Sequence, residues 1–159
     1  MTVFPDSASF KLVDQNSGQP ISNLAVRLTL FARRKNNYYI WSISDTQGVA
    51  TLTKAQCLRE IEDSRTTWLM DYASTLEECL PRISIEVLSE SDIKRSIETR
   101  YKYREFFPDN LALSEEYIHR LETCNNYQYV PDKVSFEEAT LWQPGPLTIR
   151  VKRLLSSSS

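Results

Sequence analysis

The chain has 159 residues, 41% of them apolar and 25% charged, which is the composition of one globular domain of ordinary size. A chain of this length buries roughly two-thirds of the surface its unfolded form exposes, so folding requires neither a metal nor a disulfide. Its 19 basic and 21 acidic residues leave a formal charge of −2, which gives no long-range attraction to nucleic acid or to an anionic membrane.

Residues 1–8 read as a lead-in, with Pro5 discouraging regular structure. They lack the basic and apolar regions of a signal peptide, and no stretch approaches the ~20 apolar residues of a membrane span. The expectation is a cytoplasmic protein that does not insert into membranes. Phe10 and Leu12, with Lys11 between them, begin the alternation of a half-buried strand. Asn16, Ser17 and Gly18 turn the chain, and Pro20 cannot donate to a ladder, so the first strand stops before it. Residues 24–31 form a second strand, with Val26, Leu28 and Leu30 on one face and Arg27 and Thr29 on the other. A basic connection containing Arg33, Arg34 and Lys35 leads to an aromatic-rich third strand over residues 38–44. Asp45 and Gly48 mark a turn into a fourth strand, residues 49–52.

Thr53 and Gln56 fit a capping box, so a short helix follows the fourth strand and ends near Asp63 and Ser64. Residues 66–72 fit either a strand or a helix. Residues 74–80 allow one helical turn, stopped by Pro81. Residues 82–88 alternate clearly, Ile83, Ile85 and Val87 against Ser84 and Glu86. Ile93, Ile97 and Tyr101 are four apart, as on a helix, but Ile97, Thr99, Tyr101 and Tyr103 also alternate with Glu98, Arg100, Lys102 and Arg104. The longer period-2 run predicts a strand over residues 97–104. Ser114 as N-cap with Glu115 and Glu116 opens a helix that Asn125 and Asn126 end. Residues 127–146 read as a structured excursion, and residues 147–154 as the closing strand.

The pattern is mostly β: a single domain over residues 9–155, a seven-stranded antiparallel β-sandwich. One short helix follows strand four, a helix-containing insertion precedes the last strand, and a disordered serine tail closes the chain. Cys57, Cys79 and Cys124 are odd in number and form no CxxC pair, which favours free buried thiols. One histidine in the chain excludes most zinc sites, and no cofactor is expected.

Val13, Asp14, Ser17, Gly18, Pro20, Ile21, Asn23 and Val26, then Asp45, Gly48 and Ala50, make up a strand, D-x-x-S-G-x-P-I-x-N, strand, D-x-x-G, strand pattern. This third of the chain resembles the transthyretin-like and carboxypeptidase regulatory-like β-sandwich domains. The resemblance implies the scaffold and leaves function open, because such sandwiches host many roles. That family includes hydroxyisourate hydrolase, whose chemistry needs histidines near the first strand and the C-terminus and an arginine after the D-x-x-G turn. Here Phe10, Lys11 and Leu12 stand in the first strand and Val49 follows Gly48. The resemblance therefore does not carry that activity.

His119 lies beside Tyr117 and Arg120 on a predicted helix, and a surface histidine is the expected role. Arg33, Arg34 and Lys35 suit a solvated hairpin tip. Arg100, Lys102 and Arg104 suggest a basic stripe on a sheet face, offset by Glu86 or Glu98. Tyr127, Tyr129, Phe136 and Trp142 are either interface anchors or plugs at the open end of the sandwich. The leading expectation is a non-enzymatic protein-interaction module, an accessory or adaptor subunit whose partner is another protein, met on the Phe106–Trp142 excursion with these four aromatics as contacts. The alternatives are a hydrolase on the same scaffold, with displaced catalytic residues around His119, and an intracellular inhibitor or immunity-type protein.

Overall fold

The structure, a computed structural model, describes residues 6–31, 37–67, 83–103, 115–136 and 146–154. In chain order these hold β1 (Ser7–Asp14), β2 (Ala25–Phe31), β3 (Asn37–Ile43), β4 (Val49–Thr53), α1 (Lys54–Thr67), β5 (Ile83–Val87), α2 (Glu90–Tyr103), α3 (Glu115–Glu122), a 3-10 turn at Asn125–Gln128, β6 (Asp132–Phe136) and β7 (Leu147–Val151). The strands form two sheets, β4-β1-β7 (sheet A) and β3-β2-β5-β6 (sheet B).

Alternation along each strand sends one set of side chains inward. Phe10, Leu12, Leu52 and Val151 of sheet A share one core with Val26, Leu28, Leu30 and Ile85 of sheet B. Burying each such side chain is worth roughly 1.5–3 kcal/mol. The chain passes from sheet B to sheet A at Asp45, whose Oδ1 accepts the N–H groups of Gln47 and Val49. Helix α1 begins with the capping box expected from the sequence: Thr53 Oγ1 accepts from the Gln56 N–H, and Gln56 Oε1 accepts from the Thr53 N–H. It packs beside β3 and β4 and drives Cys57 and Ile61 into the core. It runs on to Thr67, beyond the expected end, and so takes Thr66 and Thr67 into the helix.

Sheet B is also covered on its outer face. Ala25, Trp41, Ile43 and Leu88 pack there against Ile93 of α2 and against Leu121 and Cys124 at the end of α3. Strand β2 is thus buried on both sides, and even its outward Thr29 is only 3% exposed.

Three expectations need correction. The expected strand over residues 97–104 is not one, because residues 97–103 belong to α2, and Arg104 lies outside the described residues. The i, i+4 reading of Ile93 and Ile97 is the right one: Ile93 is fully buried and Ile97 packs beside it. Ser89 Oγ caps the Asp92 N–H, Glu90 pairs with Lys94, and acids and bases sit at the ends the helix dipole favours. The alternating count failed because it took Tyr101, which is 50% exposed, as a core position. Second, the strands are not all antiparallel, since β7 runs parallel to β1, pairing Leu12 with Ile149. Third, the seventh strand lies inside the 127–146 excursion, as β6, antiparallel to β5. Ser7 and Ala8, read as lead-in, belong to β1. Residues 68–82, including the 74–80 turn, lie outside the described residues, as does the Ser114 cap.

The outer layer is fastened by two asparagines. Asn126 is 1% exposed. Its Oδ1 accepts from the Ala25 N–H at 2.7 Å, and its Nδ2 donates to the carbonyls of Ala25 (2.9 Å) and Leu88 (3.2 Å). Asn125 donates from its backbone N–H to the Asn23 carbonyl and from Nδ2 to the Ser22 carbonyl. Asn23, at φ 55°, returns a bond from Nδ2 to the Thr123 carbonyl. Asn126→Ala leaves buried donors and acceptors unpaired. At about 1–3 kcal/mol for an unsatisfied group, it is expected to cost about 2–4 kcal/mol in urea unfolding; a cost below 1 kcal/mol would show that water replaces the carboxamide.

Gly18 and Gly48 both have positive φ, at 72° and 78°. A Cβ at Gly48 would lie 2.8 Å from the Leu12 carbonyl oxygen and from Pro20 Cβ, whereas one at Gly18 meets nothing within 4 Å. Gly18→Ala therefore carries only the backbone penalty, about 1–2 kcal/mol, and Gly48→Ala carries a clash with backbone as well. Parallel thermal unfolding should place Gly48→Ala clearly below Gly18→Ala.

Candidate functional site

Pairing in sheet B sets Trp41, Arg27, Glu86 and Lys133 in one row across its outer face. Arg27 donates from Nε and Nη2 to Glu86 Oε2 at 2.8 and 2.5 Å, and Lys133 Nζ lies 3.9 Å from Glu86 Oε1. The Arg27 guanidinium also sits 4.5 Å from the Tyr39 ring and 5.8 Å from Trp41. Trp41 meets a second guanidinium, that of Arg100 on α2, at 4.8 Å, and Arg100 reaches Tyr117 of α3 at 5.4 Å. Tyr39, Arg27, Trp41, Arg100 and Tyr117 thus form one connected run from the open end of β3 to the helices.

Burial draws the Arg100 pKa down from the ordinary arginine value, and the neighbouring Tyr117 and Glu60 oppose that shift. Burial also pushes the Tyr117 phenol well up, against the pull of Arg100. Arginine stays charged through such shifts, so the ring faces and the Ser96 carbonyl, 3.0 Å from Nη1, take over part of the role of lost water.

Of the aromatic residues singled out in the sequence, Tyr127 and Tyr129 pack in different places. Tyr127 lies in the 3-10 turn and packs on the helix side of sheet B, while Tyr129 packs against the core between the sheets. Phe136 closes β6, opposite Ile83, and Trp142 lies outside the described residues. Arg100 and Lys102 do not form a sheet stripe: Arg100 is 7% exposed, Lys102 is exposed, and Arg104 lies outside the described residues, as do Arg33, Arg34 and Lys35.

His119 is exposed on α3, and its side chain makes no hydrogen bond among the described residues. Cys124, five residues on, is 4% exposed and faces the helix-side core, where burial pushes its thiol pKa up and disfavours the thiolate. Cys57 is likewise buried and in no disulfide, and Cys79 lies outside the described residues. Among the described residues no three His, Cys, Asp or Glu side chains are grouped to hold a metal, and no helix is long and apolar enough to cross a membrane.

Sequence reasoning missed the cation–aromatic run and the Asn126 clamp. The signal for the run was present as an outward Arg27 opposite the aromatic third strand. Nothing local could assign Arg100 to it. No family model matches the chain, and neither a curated protein nor a solved structure shows significant similarity to it.

The run joins sheet to helices through stacked planes, which a lysine cannot copy. Arg100→Lys keeps the charge and loses the stacking with two rings. It is expected to cost about 1–2 kcal/mol in urea unfolding, more than Arg27→Lys, whose head remains part-exposed; equal stability of Arg100→Lys and the parent would show that the stacking contributes nothing.

Proposed function

We propose that the chain is a non-enzymatic protein-interaction module, an accessory or adaptor subunit on a transthyretin-like sandwich scaffold. Its partner is another protein, met along residues 125–136 and by Trp142, which lies outside the described residues. The observation that supports this reading is how that ribbon is held. Asn125 and Asn126 fasten its start to residues 22–25. Residues 128–130 then bond to residues 152–154, by Val130 N–H to the Lys152 carbonyl and Leu154 N–H to the Gln128 carbonyl. Strand β6 finally joins sheet B through β5. One short segment thus bonds to both sheets and still exposes Gln128, Asp132, Lys133 and Ser135. A surface fixed in this way loses little entropy on binding, which is what a docking site on a rigid sandwich requires.

Affinity capture from host extract tests the surface. The parent chain is expected to retain a partner that the Ser135→Arg, Trp142→Ala double variant retains at least about tenfold less well, a loss of about 1.4 kcal/mol. Both chains should show the same unfolding midpoint, and equal retention by both would remove this surface.

A further inference from the structure

Sheet A presents a different face. Its outward positions are Ser9, Lys11 and Val13 on β1, Val49 and Thr51 on β4, and Thr148 and Arg150 on β7. None of them is acidic, although the chain as a whole carries a charge of −2. Lys11 and Arg150 are exposed, as is Lys152 just beyond β7, and among the described residues none of the three pairs with a carboxylate. Ser9 and Thr51 hydroxyls lie 3.3 Å apart beside them.

Strand β7 is also an edge. It pairs with β1 on one side, and on its other side it bonds to no strand among the described residues. Just past its end that same edge is taken up: Tyr129 and Arg153 form an antiparallel bridge. The chain then leaves for β6, in the other sheet. Beside this edge Tyr129, Val134 and Leu147 are only half-buried against the core.

We propose that the β7 edge and the basic face beside it bind an extended acidic peptide segment of a partner protein. The segment adds to sheet A as a strand antiparallel to β7, continuing the pairing that residues 128–130 begin. Its main chain bonds to β7. Alternate side chains then fall on opposite faces of the sheet. Those on the outer face meet Thr148 and Arg150, with Lys11 and Lys152 nearby, and are acidic. Those on the inner face meet Leu147 and its apolar neighbours and are apolar. The ligand is thus an alternating acidic–apolar strand. The proposal rests on the interaction-module reading and shares Tyr129 and Val134 with the 125–136 ribbon, but its main-chain pairing and its charges belong to β7 and sheet A, so variants at Lys11 and Arg150 test it separately.

The probe is a fluorescein-labelled, end-capped peptide of alternating Glu and Val, about eight residues long, the length of an ordinary strand. Fluorescence anisotropy should show saturable binding that weakens as salt rises from about 50 to 500 mM, because these charges are exposed. Lys11→Glu and Arg150→Glu, both at exposed positions, should each raise Kd at least about tenfold, with Lys11→Gln and Arg150→Gln in between. Methylating alternate peptide nitrogens should abolish binding, because strand addition needs those N–H groups. Ser135→Arg with Trp142→Ala should leave Kd unchanged; a loss there instead would place the peptide on the ribbon and overturn the assignment to β7. The proposal is equally overturned if the probe does not bind, if a control peptide of the same length alternating Lys and Val binds as tightly, if N-methylation has no effect, or if an oligo-dT strand binds as tightly as the peptide.

Discussion

The hydrogen-bonding needs of Ala25 constrain everything on the outer side of sheet B. Its N–H and C=O lie where β2 enters the sheet, in a position with no exposure, and a buried backbone group without a partner is costly. The Asn126 carboxamide meets both groups, as a neighbouring strand would, and takes the Leu88 carbonyl as well. It can do so only if the end of α3 lies against the sheet. The clamp therefore fixes α3, α3 carries Leu121 and Tyr117 into place, and α2 packs against both. A side chain read from the sequence as a helix stop acts as a piece of sheet.

The cation–aromatic run is the lateral counterpart of that clamp. Burying Arg100 opposes its charge, and a bare guanidinium at that depth would destabilise the helix–sheet junction. Stacking on Trp41 and Tyr117 lowers that cost, and it ties α2 to β3 and α3 at one atom group. Arg27, half in water and paired with Glu86, needs less help. The two arginines share Trp41 but stand in different dielectric surroundings, so the same lysine substitution is expected to affect them differently.

Six of the strands were legible because each shows a period of two, and the α1 cap was legible because its residues, Thr53 and Gln56, are three apart in sequence. Asp14 was named only within the scaffold resemblance, although its role is equally local: its Oδ1 accepts from the N–H groups of Asn16 and Ser17, and those bonds hold its carboxyl below the ordinary range. What failed was non-local. The alternation of charges in residues 97–104 resembles a strand until one knows which side is covered, and that is decided by Leu121 and Cys124, more than twenty residues on. Strand β6 has a single half-buried apolar position of described side chain, Val134, too little for periodicity to register. The parallel β1–β7 pairing joins the two ends of the chain, and no local pattern distinguishes it from an antiparallel closure. Of the candidate site, the aromatic residues were visible by type, but their division between two cores was not.

Among the described residues, helices cover the outer face of sheet B, whereas Lys11, Thr148 and Arg150 on the outer face of sheet A are exposed. Lysine and arginine beside an edge strand are also the ordinary means of preventing self-association, so their presence at β7 has two readings. The two differ in sign dependence. A second copy pairing through the same edge would set β7 against β7, because an isologous contact places the same surface patch on both partners. That arrangement brings Arg150 and Lys11 close to their own duplicates and is disfavoured. A strand with acidic residues on that face meets the same two charges as attraction. One arrangement of Lys11, Thr148 and Arg150 thus rejects a copy of itself and accepts an acidic strand, and guarding the edge is a consequence of selecting what may join it.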